Sequence, residues 1–452
     1  MREDGGLVEL HAHLYGCIRH DALLQHILVS DRIDWSAYQG SYEAAFGVRP
    51  DPEAIVERVR RKEAGAENEF KELFVFGDGD GGRFERFQAK FDLLIAASEL
   101  SRPRSDPGFE GRLENELDRF MLRILRDYAE IGVRHAELRM MPPPTEPREL
   151  AKGLLTRMLE RAARGAELGV DARVAISLSR EDPWYLWDLM RDLSLGPHGE
   201  LLTGVDFCAV EEGHPPKRKS AFFDAVREHN RAAPQRALAI LYHVGESFED
   251  KSLESALRWV QEAAEMGAHR LGHAIALGVD PESFGVHTRL ERAGERADQL
   301  RYDLKHAPGL ERFGVRVDRE RAARELSKVE TFATDSMLEL SYDRERLEEL
   351  RKRQDYAMSA ILKTGAIIEV CPTSNRRLAG LTDDAHHPVH RFVEAGLPIA
   401  VASDDPGIFD TTLPDELEWV RRTLRWSKGE IEALARRSWG YRSEVLVGME
   451  SG

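Results

Sequence analysis

The sequence predicts an α/β fold, a (β/α)8 barrel of the TIM type with helical insertions over its C-terminal face. Eight short apolar runs alternate with longer amphipathic segments, which is the pattern of repeated strand–helix units. Several of these runs end in a histidine or an aspartate, at the strand ends where such a barrel places its functional site. The length of 452 residues, with 42% hydrophobic side chains, is enough for one large core.

Each of the eight apolar runs is predicted to be a strand of the barrel. Between most of them, apolar residues at three-to-four spacing predict helices over 113–130, 149–168, 251–266 and 350–364. The predicted strands are 7–13, 133–140, 172–178, 203–209, 237–243, 269–274, 366–371 and 398–403.

We predict a single domain, 1–452, that carries two insertions. Residues 31–112 contain helical pieces and the Gly/Asp-rich stretch 77–82, and they are too long for a simple loop, so they are expected to cap the barrel mouth. That stretch is either a solvated loop or a moving lid. Residues 280–348 are densely charged and are predicted to be helices inserted between the sixth and seventh strands. Such mixed-charge faces are usually solvated, and a homo-oligomer interface is the alternative.

Composition and charge narrow the range of functions. The formal net charge of −16 disfavours binding to nucleic acid or to an anionic membrane surface, so we expect a small-molecule substrate. Three scattered cysteines do not form a disulfide framework, and the first residues show no signal-peptide apolar run, which predicts a cytoplasmic protein. No stretch approaches the roughly 20 apolar residues of a membrane span, so no membrane partner is expected.

Two histidines, His11 and His13, end the first predicted strand. Side chains two apart on a strand point the same way, so both imidazoles can grip one metal ion. With His243 and Asp404 from later strand ends they make a zinc-like ligand set, and we predict that these four residues bind one Zn²⁺ per chain. Bound zinc lowers the pKa of water from near 16 towards about 7, which predicts a hydrolase. No lysine in 204–212 can bridge a second metal, although its acidic residues leave that alternative open.

These motifs resemble the adenosine and AMP deaminase family of the amidohydrolase superfamily. They occur in the family's order and span most of the chain outside the two insertions. The matching segments are Glu9–Leu14, Phe87–Asp92, Ala136–Arg139, Gly204–Asp206 with Glu211, His243–Glu246, Arg270–His273, Glu369–Asn375 and Ser403–Pro406. The resemblance implies hydrolytic conversion of a 6-aminopurine to its 6-oxo counterpart with release of ammonia.

The resemblance also implies a role for each residue of the site. Glu246 would donate a proton to ring N1, so that C6 becomes electrophilic. His273 and Asp404 would orient and deprotonate the attacking water and stabilise the charge that develops. Asp405 would hydrogen-bond N7 of the purine, and His13 would contact the substrate as well.

Two departures from the family pattern fall on substrate-binding positions. Tyr15 stands where nucleoside-specific members have an aspartate that holds the ribose 5′-hydroxyl, and its hydroxyl could donate to a 5′-phosphate that an aspartate would repel. Ala209 stands where members have a glycine whose backbone contacts purine N3. The basic clusters 217–219 and 376–377 could clamp phosphates or be plain surface.

The leading hypothesis is zinc-dependent deamination of an adenine nucleoside or nucleotide to its inosine counterpart, with the free nucleoside and its 5′-phosphates both open. The alternatives are a metal-dependent hydrolase of another amino-heterocycle and a catalytically inactive binding protein on the same fold. Editing of adenine within RNA is disfavoured by the net charge. The Pro-Cys-x-x-Cys signature of cytidine deaminases is absent from the sequence.

Overall fold

Eight parallel strands form a barrel in the computed structural model, which describes residues 5–30, 33–103, 105–142 and 147–449. Residues 31, 32 and 104 of the predicted cap, and 1–4 and 450–452 of the predicted domain, lie outside these ranges. The barrel strands are β1 (Leu7–His13), β2 (Val133–Met140), β3 (Asp171–Ser177), β4 (Leu202–Asp206), β5 (Ala239–Val244), β6 (Arg270–His273), β9 (Ile367–Val370) and β10 (Ile399–Val401). Two further strands, β7 (His287–Arg292) and β8 (Met337–Tyr342), form a separate sheet.

The helices surround the barrel, and their apolar faces and the outer face of the sheet form the main core. They are α1 (His20–Val29), α2 (Ser36–Phe46), α3 (Pro52–Arg60), α4 (Ala66–Phe74), α5 (Phe84–Ala97), α6 (Phe109–Glu130), α7 (Arg148–Ala163), α8 (Trp184–Leu195), α9 (Ser220–Ala232), α10 (Leu253–Glu265), α11 (Ala293–Arg312), α12 (Arg319–Val329), α13 (Arg344–Thr364), α14 (Pro372–Leu378), α15 (Val389–Glu394), α16 (Leu413–Thr423), α17 (Lys428–Ser438) and α18 (Ser443–Leu446). None of those in the described ranges is long and apolar enough to cross a membrane.

The barrel strands follow the order β1-β2-β3-β4-β5-β6-β9-β10, and every neighbouring pair is parallel. The ring closes between β1 and the residues that follow β10. There the amide of His13 donates to the carbonyl of Asp404, and the amide of Asp404 donates to the carbonyl of His11, each over 2.9 Å. The predicted barrel is thus confirmed, with its closure made by a residue of the predicted metal site.

The predicted boundaries of two strands were wrong at their C-terminal ends. β4 ends at Asp206 rather than at residue 209, and β10 ends at Val401 rather than at residue 403. Ala209 has a φ of +63° and Asp404 a φ of +60°, a left-handed backbone that cannot continue a strand. Both chains therefore turn at the barrel mouth.

The segment between the first two barrel strands contains α1 to α6 in the described part of the chain, and α2 to α5 lie within the predicted cap. It is tied to the loop after β10, where the amide of Phe76 donates to the carbonyl of Ile408 over 2.8 Å and the ring of Phe87 stacks on Phe409 at 5.4 Å. α5 is thereby held beside the C-terminal ends of the barrel strands.

The segment between β6 and β9 contains α11 and α12, as well as the antiparallel pair β7–β8, which the charge pattern did not predict. Its alternation is inverted: Leu290 is exposed, whereas Glu291 is buried and accepts hydrogen bonds from Ser252 and Ser255 at the start of α10. An oligomer interface on this segment remains a prediction.

Candidate active site

Four histidines and one aspartate converge at the C-terminal mouth of the barrel. His11 and His13 come from β1, His243 from β5, His273 from the end of β6 and Asp404 from the residues after β10. The Oδ1 atom of Asp404 lies 3.4 Å from Nε2 of His11 and 3.2 Å from Nε2 of His13. The Nε2 atoms of His243 and His13 lie 3.3 Å apart. The structure thus brings all four predicted metal ligands together.

The cluster fits a metal ion. His11 is fully buried, and its Nε2 atom has no hydrogen-bond partner among the described residues. Potential ligand atoms of His11, His243, His273 and Asp404 all lie within 4.8 Å of one another, and His13 belongs to a neighbouring group with Asp404. The sequence prediction placed His13 rather than His273 among the ligands. Either way, three imidazoles and a carboxylate are a donor set suited to zinc.

His11, His243 and His273 each form a hydrogen bond through Nδ1, which orients the ring so that Nε2 faces the cluster. Such outer partners fix the ring and its tautomer in metal sites. The Nδ1 atom of His11 lies 2.9 Å from Oε2 of Glu369, and that of His243 lies 3.0 Å from Oδ1 of Asp206. The Nδ1 atom of His273 lies 2.9 Å from Oδ1 of Asn375. Sequence reasoning assigned no role to these partners. The signal for Glu369 was a charged residue inside an otherwise apolar strand.

The barrel interior beneath the cluster is charged. Arg139 and Arg270 are fully buried, and both contact Oε1 of Glu369. Burial by itself raises the pKa of Glu369, but Arg139, His11 and Arg270 outweigh it and hold that pKa well below its usual range. Glu369 therefore remains a carboxylate that accepts from His11 Nδ1.

The protonation states also suit a metal. Burial holds the pKa of His243 well below its usual range, so its imidazole is neutral. Burial likewise lowers the pKa of His11. Burial opposes ionisation of Asp404, yet the neighbouring His11 and His13 keep its pKa well below its usual range. His11, His243 and Asp404 are thus in the forms that bind metal ions. The burial of His13, in contrast, is outweighed by Asp405 and Asp404, which raise its pKa to about 9.

Glu246 stands beside the cluster on the loop after β5. Its Oε2 atom lies 3.7 Å from Nε2 of His273, which in turn lies 3.9 Å from Oδ2 of Asp404. Burial raises the pKa of Glu246, with a further rise from Asp404 that His273 opposes. A half-buried carboxyl group with a raised pKa can serve as a proton donor.

A cavity of about 390 Å³ opens over this cluster. Its walls are mostly apolar, and the predicted substrate contacts His13, Tyr15, Ala209 and Asp405 all line it. The apolar lining residues are Leu14, Phe84, Phe87, Phe91, Ile95, Leu100, Met140, Met141 and Leu378. Among the described lining residues the only lysine or arginine is Arg139, and its guanidinium is engaged by Glu369 and Asp206.

The two basic clusters that were candidates for a phosphate clamp do not line this cavity. Lys217, Arg376 and Arg377 each pair with an aspartate elsewhere, and Arg377 also donates to the carbonyl of Phe76 over 2.9 Å. The suggested clamp is therefore not formed, because these cations are used to tie loops together.

Tyr15 is a buried wall residue of the cavity, and its hydroxyl has no hydrogen-bond partner among the described residues. Burial raises its pKa well above the usual range, and the buried carboxylate of Glu116 adds to the rise. The hydroxyl is therefore neutral and can donate to a substrate, but a neighbouring negative charge does not favour a phosphate there.

Backbone strain is concentrated at the site. Ala209, His273 and Asp404 have φ values of +63°, +61° and +60°, a region that non-glycine residues rarely adopt. At position 209 a glycine would adopt this conformation without a steric penalty. The resemblance to a glycine-bearing motif is therefore consistent with the geometry.

Gly16 fixes the position of Asp405. A Cβ atom at residue 16 would lie 1.6 Å from Oδ1 of Asp405, so any side chain there must displace the carboxyl group. Asp405 and Asp404 are adjacent and buried, and burial together with the charge of Asp404 raises the pKa of Asp405 to about 7.

A parallel barrel with histidines and a carboxylate converging at its C-terminal mouth defines a barrel of the amidohydrolase class. The family model described as adenosine deaminase matches residues 112–292 and 338–441, more than half of the chain. The chain therefore belongs to the adenosine deaminase family, which confirms the resemblance drawn from the sequence motifs.

The relatives of known function that resemble this chain in sequence are deaminases. Those with identities near 40% match it over only about 70 residues. Adenine deaminase of Rhizobium leguminosarum bv. trifolii is 42% identical over 72 residues, 16% of this chain and 22% of that protein. Aminodeoxyfutalosine deaminase of Acidothermus cellulolyticus is 44% identical over 69 residues, 15% of this chain and 19% of that protein. Adenine deaminase of Streptomyces coelicolor is 25% identical over 360 residues, 79% of this chain and 76% of that protein. The chain thus spans about a fifth of the length of the first two relatives.

Solved structures share the fold. Adenine deaminase of Arthrobacter aurescens has a TM-score of 0.54 and 17% identity, covering 98% of this chain and 97% of its own. The N6-methyl-AMP deaminase of Arabidopsis thaliana has a TM-score of 0.52 and 18% identity, covering 97% and 92%. An amidohydrolase of Burkholderia ambifaria with bound Zn has a TM-score of 0.50 and 18% identity, covering 98% and 91%.

Proposed function

We propose that this protein catalyses the zinc-dependent hydrolytic deamination of an uncharged adenine compound, a nucleoside or the free base. The observation that carries the proposal is the convergence of Glu246, His273 and Asp404 on a mostly apolar cavity. Membership of the adenosine deaminase family and the names of the relatives support the same reaction.

His11, His13, His243 and Asp404 would hold one zinc ion, with His273 as the alternative to His13 suggested by the interatomic distances. When bound, zinc supplies hydroxide at neutral pH by lowering the pKa of water to about 7. The lowered pKa values of His11 and His243 and their outer partners Glu369 and Asp206 support this assignment.

The chain's own side chains move the protons. Glu246, whose pKa is raised, donates a proton to purine N1 and makes C6 electrophilic. His273 accepts the proton of the attacking water as the C6–O bond forms. His273 returns this proton to the amino group, the C6–N bond breaks, and ammonia leaves. The proton of the C6 hydroxyl passes to Glu246, which regains its acidic form, and the base keeps a 6-oxo group. The pKa of Asp405 is raised to about 7, and its protonated form can donate a hydrogen bond to N7.

The cavity favours a substrate without phosphate. The lysines and arginines nearby are either paired below the site or used in contacts elsewhere, and the carboxyl groups of Glu246, Asp404 and Asp405 offer a phosphate no positive charge. A phosphate group is normally bound by free cations or by several backbone amides. The apolar walls from α5 instead suit an adenine ring and an uncharged sugar or substituent.

A substrate panel tests this proposal. Adenine, adenosine, deoxyadenosine, aminodeoxyfutalosine and the adenosine mono- to triphosphates are assayed by ammonia release and by the loss of absorbance at the adenine maximum. We expect turnover of at least one uncharged compound, with a kcat/KM at least about tenfold above that of its phosphates, which corresponds to about 1.4 kcal/mol. No turnover of any adenine compound would contradict the proposed function, and a preference for the phosphates would contradict the substrate class.

A further inference from the structure

Two loops meet at the edge of the catalytic cavity, and one buried carboxylate joins them. The loop after β4 (207–213) carries Ala209, and the loop after β5 (245–252) carries Glu246. Glu211, only 5% exposed, accepts hydrogen bonds from three successive backbone amides of the second loop. They come from Gly245 at 3.0 Å, Glu246 at 3.1 Å and Ser247 at 3.2 Å.

Further contacts close the same junction, which we call the Glu211 clamp (Glu211, Gly213, Asp250 and Lys251 with the three amides). The amide of Gly213 donates to Oδ2 of Asp250 over 2.6 Å. Lys251 is fully buried, with its Nζ atom 2.8 Å from Asp250 and 3.9 Å from Glu211. The ammonium group of Lys251 lies beside both carboxyl groups and offsets the cost of burying them together.

Three consecutive N–H groups that point at one carboxylate form an anion nest made by the backbone itself. Bonds from amides to an ionised acceptor are stronger than neutral ones. In this arrangement the backbone of residue 246 cannot shift without breaking them. The loops of a barrel mouth are otherwise its most mobile parts, so this restraint concerns the proton donor directly.

We propose that Glu211 is a positioning residue of the catalytic site. It holds the loop of Glu246 against the loop of Ala209, so that both residues keep their positions in the wall of the cavity. This inference rests on the proposed function. Glu211 acts through residue 246 and is not itself among the residues that line the metal cavity.

The test compares Glu211→Gln with Glu211→Asp and with Glu249→Gln. Glutamine keeps the size of the side chain but turns an amide NH₂ towards backbone donors, and we expect kcat to fall about a hundredfold with unchanged zinc content, as for a displaced catalytic group. Glu211→Asp keeps a carboxylate that can accept from the three amides, so we expect it to recover most of the kcat that Glu211→Gln loses. Glu249 is an exposed carboxylate of the same loop, and its glutamine variant should stay within about twofold of wild type.

Amide hydrogen exchange of residues 245–247 gives a readout that needs no substrate. We expect these amides to exchange at least tenfold faster in Glu211→Gln than in wild type. A wild-type kcat or unchanged exchange in this variant would each overturn the inference. A wild-type protein that deaminates no adenine compound would instead contradict the proposed function, and the exchange rates would still decide whether the clamp holds the loop.

Discussion

The two ends of the barrel each carry histidines and carboxylates close enough to bind a metal, but they are balanced differently. At the amino-terminal end, His135, Asp171 and Glu444 bring ligand atoms within 4.8 Å of one another, as the mouth cluster does. There the Nδ1 atom of His135 lies 2.8 Å from Asp171, and Arg173 lies 3.0 Å from Asp171 and 3.6 Å from Glu444. In that cluster the guanidinium group of Arg173 supplies the positive charge that balances the two carboxylates.

At the mouth, the arginine that lines the cavity, Arg139, is engaged by Glu369 and Asp206 rather than by the carboxylate of the cluster. His11 and His135 each have an Nε2 atom without a hydrogen-bond partner among the described residues, so that feature is common to both ends. His273 and Asp404 adopt left-handed backbones, whereas His135, Asp171 and Glu444 do not. We infer that charge balance and backbone strain, rather than residue type and spacing, distinguish the proposed metal site from a cluster that stabilises the fold.

The largest difference between the two ends of the barrel is expected when one histidine is removed from each end in turn. We expect His243→Ala to lose its zinc and at least about a thousandfold in kcat, because both the ligand and its link to Asp206 disappear. His135→Ala should keep its zinc and its kcat, while its unfolding free energy falls by about 2 kcal/mol because Asp171 loses its partner. Metal analysis, kinetics and urea unfolding measure these effects. Zinc loss in His135→Ala would refute the distinction.

Glu246→Gln separates proton transfer from metal binding within the mouth. Glutamine has nearly the same shape but no acidic proton, so kcat should fall by about 10²- to 10⁴-fold. Zinc content should equal that of wild type, since Glu246 is not among the proposed ligands. Residual activity above a tenth of wild type would rule out its role as proton donor.

Acid pH should weaken the amino-terminal end of the barrel. Burial raises the pKa of Glu137, but Arg270 and His135 outweigh it and hold that pKa well below its ordinary value of 4.5. The stabilisation from Glu137 is therefore fully present above pH 4.5 and is lost as the pH falls below it. Glu137→Gln should cost about 3 kcal/mol at pH 7, because buried Arg270 loses an ionised partner, and progressively less below pH 4.5. Unfolding free energies measured from pH 7 to pH 3 test this; an equal loss at every pH would contradict it.

The smallest effect concerns backbone strain. Ala209→Gly removes the steric strain of the left-handed conformation at φ +63°. The greater entropy of glycine in the unfolded chain offsets part of this gain, so we expect the unfolding free energy to rise by about 0.5–1 kcal/mol. Ala175→Gly in the regular strand β3 is the matched control and should destabilise. Urea midpoints at constant slope measure both. A destabilised Ala209→Gly would show that the alanine methyl group has a packing role.

Sequence reasoning located the barrel strands because apolar runs that end in polar side chains are a local signal. It missed β7 and β8 because Leu290 faces out and Glu291 faces in, which reverses the usual alternation. It gathered His11, His13, His243 and Asp404, yet it could not rank His273 against His13, since the angle at which each ring leaves its strand depends on the closed barrel. The roles proposed for these residues remain predictions.

The position of Asp404 at the junction of β1 and the end of β10 has a mechanical consequence. Its backbone supplies the two hydrogen bonds that seal the cylinder, while its side chain reaches the histidines of the mouth. Binding of a ligand to the Asp404 side chain and closure of the barrel are thus thermodynamically linked. A ligand that binds this side chain also opposes the separation of β1 from the end of β10. Chelation should therefore loosen the β1 edge before any other strand.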